Sequence, residues 1–180
     1  SVRSGTTGPT LTQGTSYRVY ASTTYWTSVA ALDGSTAVVC YTHSSSRGVC
    51  RVLTASWGSV NGWELTGGAE VFFHTGYVQR ISVAALDAST ALVCYKDSGS
   101  TSDKHGTCNV LSVSGTTLSV GASGTFTSGS TDFISVTRLS RTDAIVCYNT
   151  NAPHDTVSLS TYGACNLLNV AGTTFAVGND

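Results

Sequence analysis

The chain has 180 residues, with 9 Lys and Arg against 10 Asp and Glu, for a net charge of −1 and a pI near 6.4. Charged residues are 11% of the total against a usual value of about 25%, which leaves no electrostatic footprint for nucleic acid or for an anionic membrane. No apolar run approaches the ~20 residues of a membrane-spanning helix, and Ser, Thr and Gly fill the surface positions that Lys and Glu usually take.

In chain order, the sequence divides into a partial unit and three repeats. Residues 1–25 open with SVRSGTTGPTLTQG, which matches SVSGTTLSVG at 112–121. They read as the end of a third strand, a fourth strand centred on Leu11, and a linker. No signal-peptide pattern is visible there, so a secretion signal is expected upstream of Ser1. Residues 26–79 form repeat one, with TSVAALDGSTAVVCY followed by GVCRVLTA and with Trp57 and Trp63 in a hairpin that lacks the Ser-Gly-Thr-Thr of its siblings. Residues 80–132 form repeat two, and residues 133–180 form repeat three, FISVTRLSRTDAIVCY followed by GACNLLNVAGTTFAVG. Leu32, Leu86 and Leu139 hold one repeat position at a spacing of about 54 residues, in the range of solenoids, propellers and other arrays.

Within a unit, short runs of Val, Ile, Ala, Thr and Tyr are bounded by Gly, Ser, Asp and Thr, and no window has helical periodicity. Repeat two therefore predicts strands at 80–86, 91–95, 106–113 and 117–121, joined by connections short enough for antiparallel pairing. The fold class is all-β, a propeller-like array of four-stranded antiparallel meanders comprising three repeats and one extra strand. A three-fold β-trefoil or β-prism is the alternative. Fourth strands centred on Leu11, Leu65, Leu118 and Phe175 outnumber the copies of strands one to three. Propeller rings typically have four to eight blades. The expectation is thus a window of a longer array, or half of a ring completed by a second chain. Val29, Val83 and Val136, with Leu32, Leu86 and Leu139, are expected to be equally buried.

All six cysteines fall at repeated positions, one in the second and one in the third strand of each copy: Cys40 with Cys50, Cys94 with Cys108, and Cys147 with Cys165. Cysteines facing each other across adjacent strands meet the distance requirement for a disulfide, and the intervening segment lengthens between copies while its flanks keep their form. Disulfides imply an oxidising compartment, outside the cell, on its surface or in a secretory lumen; six buried thiols would be the competing reading in a reducing one. No C-x-x-C knuckle or redox motif occurs. Tyr41, Tyr95 and Tyr148 follow the second-strand cysteines, so alternation turns them to the opposite sheet face, where packing between adjacent sheets is expected. Trp26, Trp57 and Trp63 are expected in core or inter-repeat packing, with a binding surface as the competing role.

The VCY…G-x-C-N-x-L…GTT pattern resembles repeats of large secreted or surface proteins of dinoflagellates and other marine algae. The resemblance covers nearly the whole chain and implies an extracellular, propeller-like, multi-copy protein. Repeat one departs from it where Arg51 stands in place of Asn109 and Asn166.

Candidate chemistry is confined to the loops between paired cysteines, which hold His43, Asp97, Asp103, His105, His154 and Asp155 and would share one face of a ring. DSGSTSD at 97–103 has the oxygen-rich look of a calcium loop, but no bidentate Glu follows and the positions do not coincide between copies. Solvated polar loops, with no metal and no cofactor, are the preferred reading. No G-x-S-x-G, H-E-x-x-H or phosphate-binding Gly loop is present. The sequence therefore points to a non-enzymatic extracellular structural or adhesive module whose partners are further copies or repeats of the same protein. The alternative is a lectin-like protein that binds glycans; its polar groups should repeat with the scaffold, and here they diverge.

Overall fold

A computed structural model describes residues 14, 16–58, 62–99, 104–150 and 161–178. The expected strand around Leu11, together with Asp103, His154 and Asp155, lies outside the described residues. The rest forms three antiparallel sheets and no helix. Sheet one holds β1 (Tyr25–Ala31), β2 (Thr36–Thr42), β3 (Gly48–Gly58) and β4 (Gly62–Gly67) in sequential order, with β5 (Val71–His74) also paired to β3. Sheet two holds β6 (Val78–Ala85), β7 (Thr90–Asp97), β8 (Gly106–Ser114) and β9 (Thr117–Thr127). Sheet three holds β10 (Thr131–Arg138), β11 (Asp143–Thr150), β12 (Tyr162–Ala171) and β13 (Thr174–Val177). The meander is as expected, but the fourth strand of repeat two runs on to Thr127, bulging so that Ser123 to Thr127 pair back along Asn109 to Gly106. In sheet one the same job is done by the separate β5.

Each cysteine pair is a disulfide between directly opposed residues, with Cα atoms 4.1, 4.1 and 4.0 Å apart. The sequence separation grows from 10 to 14 to 18 residues while the pairing stays fixed. Closing such loops stabilises by roughly 3 kcal/mol each on the chain-entropy model.

The disulfide face of each sheet packs on the tyrosine face of the next. Leu32, Val38, Cys40, Cys50 and Val52 meet Val83, Val93, Tyr95 and Leu111. Leu86, Leu92, Cys94, Cys108 and Val110 meet Val136, Val146, Tyr148 and Leu168. Among the described residues sheets one and three share no apolar core, so the array is a serial, propeller-like stack rather than the closed β-trefoil or β-prism alternative. The ends of β1, β6 and β10 converge on a recess of about 390 Å³ lined by Leu32, Ala84, Ala85, Val136 and Arg138 among others. That places the first strands innermost.

The expectation of equal burial along strand one fails at the two ends of the stack. Val83 and Val136 are each 7% exposed, yet Val29 is 61% exposed; Leu32 and Leu86 are 9% and 0% exposed, yet Leu139 is 57% exposed. Each valine is covered by the preceding sheet and each leucine by the following one, so the outermost copies lack their cover.

The turn after strand one is closed by a carboxylate. Asp33 Oδ1 accepts from the backbone N–H groups of Ser35 and Thr36 at 2.7 Å, and Asp87 Oδ1 accepts from Ser89 N–H at 2.8 Å. In repeat three Ser140 and Thr142 hold Asp143 instead. The backbone bond from Ser35 holds the Asp33 carboxyl below its usual range, that from Ser89 does the same for Asp87, and the Ser140 hydroxyl leads for Asp143. A carboxyl whose pKa is depressed by folding adds stability above its unfolded value and loses it as pH falls through the folded one. The thermal midpoint is therefore expected to fall on acidification below about pH 4, and a D33N/D87N variant to show a shallower acid slope in a midpoint-versus-pH series.

Candidate functional site

The loop face does not assemble into a site among the described residues. His43 follows β2 and takes a hydrogen bond at Nδ1 from Ser45 N–H at 3.1 Å, with its ring 4.3 Å from that of Tyr20 and 5.9 Å from that of Phe72. His105 immediately precedes β8 and bonds through Nδ1 to the carbonyl of Ser128 at 2.8 Å. Asp97, at the end of β7, accepts from Gly99 N–H at 3.0 Å and meets His74 Nε2 at 3.2 Å. The candidate calcium residue is thus turned toward a histidine of the preceding sheet, and no group of three or more metal-ligating side chains exists among the described residues. His74 lies on β5, outside the cysteine loops, and sequence reasoning gave it no role.

Side chains that recur from copy to copy instead meet between sheets. Phe73 lies against Gly48 of its own sheet and stacks on Tyr95 of the next at 5.0 Å between centroids; Phe126 does the same between Gly106 and Tyr148 at 4.9 Å. A Cβ at Gly48 or Gly106 would overlap the phenylalanine ring, which is the physical content of the repeated G-x-C. Likewise a Cβ at Gly68 would strike the backbone carbonyl of Thr116, and one at Gly121 that of Thr173. Main chain meets main chain between neighbouring sheets at these glycines.

A buried tyrosine hydroxyl needs a partner. Tyr95 Oη donates to Asn109 Oδ1 at 2.9 Å and Tyr148 Oη to Asn166 Oδ1 at 3.0 Å. The amide nitrogens go on to donate to the carbonyls of Gly121 and Phe126. Burial pushes the Tyr95 phenol well above its usual pKa, so it remains a donor. In repeat one Arg51 cannot accept, and Tyr41 Oη donates to Glu70 at 2.8 Å, the carboxylate that also pairs with Arg51 at 3.1 Å. The arginine-for-asparagine departure is therefore compensated by Glu70. Tyr95 and Tyr148 pack between adjacent sheets as expected, whereas Tyr41, on the outer face of sheet one, is covered by Tyr17, Val19 and Tyr20.

Two further links cross each interface along the first strands. Val83 N–H donates to Ser28 Oγ at 3.1 Å, and Val136 N–H donates to Ser82 Oγ at 3.0 Å. Trp26, Arg80 and Phe133 occupy one position, each on a strand-one bulge with φ of 52°, 55° and 50°. They form a ladder in which the Arg80 guanidinium lies 4.1 Å from the Trp26 centroid and 4.9 Å from that of Phe133. Arg80 also pairs with Asp132, which Lys96 approaches at 3.9 Å. Burial pulls the Lys96 pKa down while Asp132 opposes the shift. Trp26 thus has its expected inter-repeat role. Trp57 and Trp63 do not: both are exposed, packed edge to face at 5.6 Å on the β3–β4 hairpin.

No family model, curated protein or solved structure matches the chain. Among the described residues no helix is long and apolar enough to cross a membrane. Three disulfides with no free cysteine fit an oxidising environment.

The Tyr95 and Asn109 pair yields a direct test. N109A is expected to cost about 1–3 kcal/mol by orphaning the Gly121 carbonyl and leaving the buried Tyr95 hydroxyl with the longer 3.4 Å contact to His74 Nδ1. Y95F should cost less in the N109A background than alone, a coupling that chemical denaturation of the four members of the cycle measures.

Proposed function

We propose that the chain is a non-catalytic extracellular structural module, built to stack with further repeats of its own kind into a rigid array or surface assembly. The observation that carries this reading is the difference between what repeats and what does not. The glycine, phenylalanine, tyrosine and serine contacts recur at both sheet interfaces. Among the described residues His43, Asp97 and His105 have different partners, Ser45, His74 with Gly99, and Ser128, and do not converge on one site. A shape conserved in its joints and variable in its loops does the work of a joint. The disulfides support placement outside the cell.

A glycan-binding role is the second reading, favoured by the exposed Trp57 and Trp63 pair, since an aromatic face open to solvent can stack on a sugar ring. Glycan-array binding that disappears in W57A would establish it over the structural role.

The structural reading predicts the mass of the native protein extracted without proteolysis from extracellular material. That mass should lie far above the 18.6 kDa of this chain. A free 18.6 kDa species there, with no larger form on native sizing, would sink it.

A further inference from the structure

The exposed disulfide face of sheet three and the tyrosine face of sheet one, where Tyr17, Val19 and Tyr20 pack over Tyr41 and Val29 stays exposed, are the two halves of an interface already made twice within the molecule. On sheet three, Ser135 holds the place of Ser28 and Ser82, whose hydroxyls accept from the next sheet's valine N–H. On sheet one, Val29 holds the place of the donors Val83 and Val136, and it is exposed. Leu139 is uncovered where Leu32 and Leu86 are covered, and Phe133 is exposed on the ladder that Trp26 and Arg80 continue below it.

The third glycine of the G-x-C series points the same way. At Gly48 and Gly106 a Cβ would strike a phenylalanine, but at Gly163 it would meet nothing within 4 Å. β5 and the end of β9 cover the third strands of sheets one and two. Among the described residues no strand pairs with residues 163–166 on the side away from β11. A strand of the right kind lies at the opposite end of the molecule. Tyr17, Val19 and Tyr20 pack on the tyrosine face of sheet one, and the Tyr20 ring lies 6.2 Å from that of Tyr41, in the place where the His74 ring lies 5.3 Å from that of Tyr95. Val19, by repeat position, corresponds to Phe73 and Phe126.

We propose that a second copy of this chain docks head to tail on sheet three: its residues 17–20 add along residues 163–166, Val19 lies over Gly163, and Val29 N–H bonds to Ser135 Oγ. The occupant is fixed by continuity with the two internal interfaces, whose donor, acceptor and apolar positions it reproduces. The contact is heterologous, joining different faces of the two copies, so it builds rings or chains rather than an isolated back-to-back pair. Strand addition supplies main-chain hydrogen bonds and the glycine supplies room for the incoming side chain. This rests on the reading of the chain as a stacking module.

The test is sedimentation of the 180-residue chain across micromolar concentrations beside G163V and L139D. The wild type is expected to form species at multiples of 18.6 kDa and to gain hydrogen-exchange protection at residues 163–166 as it associates. Each variant should weaken association by at least about tenfold while keeping its thermal midpoint and three disulfides, since neither position is covered in the single chain. A wild type that stays monomeric throughout, or association that both variants leave unchanged, overturns the proposal. If the separate chains stay monomeric while the native protein is a large array, docking between chains fails and the structural role stands.

Discussion

Everything in this fold follows from sheets that are apolar on both faces. A four-stranded meander of Val, Ala, Leu and Cys has no solvated side to offer, and a sheet buried on both faces needs a neighbour above and below. Sheet two shows the requirement met: Val93 and Tyr95 on one face and Leu92 and Cys94 on the other are all inaccessible to solvent. The disulfide then sits at the centre of the forward face, fixing the register of the second and third strands where packing is densest. Small residues allow layers to approach until backbones touch, as Gly68 and Gly121 do with the next sheet. Such a stack gains its stability from its interfaces more than from any single layer, as other repeat arrays do.

Burying a tyrosine in every interface brings a polar atom into the core, and the two solutions found here differ in cost. Asparagine satisfies the hydroxyl with one neutral acceptor and spends its amide on a backbone carbonyl. Arg51 and Glu70 do the same job with a charged pair that remains partly open to solvent. The charged version stands on the face of sheet one covered by Tyr17, Val19 and Tyr20 rather than by a full sheet, where water can still reach the ions. A charged pair in the fully buried positions of Asn109 would bear a far larger desolvation penalty.

Much of this was legible in the sequence, because period and alternation are properties of residue type. The paired cysteines fixed the register, and the tyrosine beside each one marked the opposite face. Other features were hidden for definable reasons. The ladder of Trp26, Arg80 and Phe133 joins three unlike side chains whose shared property is a left-handed bulge, and no residue preference announces it. Burial at Val29 and Leu139 depends on a neighbour, which a repeat pattern cannot supply at the end of a stack. Trp57 and Trp63 read as packing residues, whereas they lie exposed and edge to face on each other in the β3–β4 hairpin. Asp97 looked like a cation ligand in a loop, but the histidine it meets comes from the preceding copy, 23 positions away in the chain.

The two faces of each layer are chemically different, and this gives the stack a direction. The forward face offers a serine acceptor, a disulfide and a glycine floor; the rear face offers a valine N–H, a tyrosine and the backbone of a turn. Two forward faces brought together would set serine against serine and leave both glycine floors empty. Two rear faces would oppose donor to donor with two sets of tyrosine rings between them. Forward on rear gives each valine N–H its serine acceptor and each glycine floor its turn, so polarity is written into the interface, and two rear faces are rejected by unmet N–H groups as well as by shape. The loops between the cysteines vary in length, yet their bases still join the layers, since the carbonyls of Ser46 and Lys104 accept from the N–H groups of Val78 and Thr131 in the next sheet. Their anchoring strands are stapled by directly opposed cysteines, so the separation grows from 10 to 18 residues with the strand pairing unchanged, and variation collects beyond those bases.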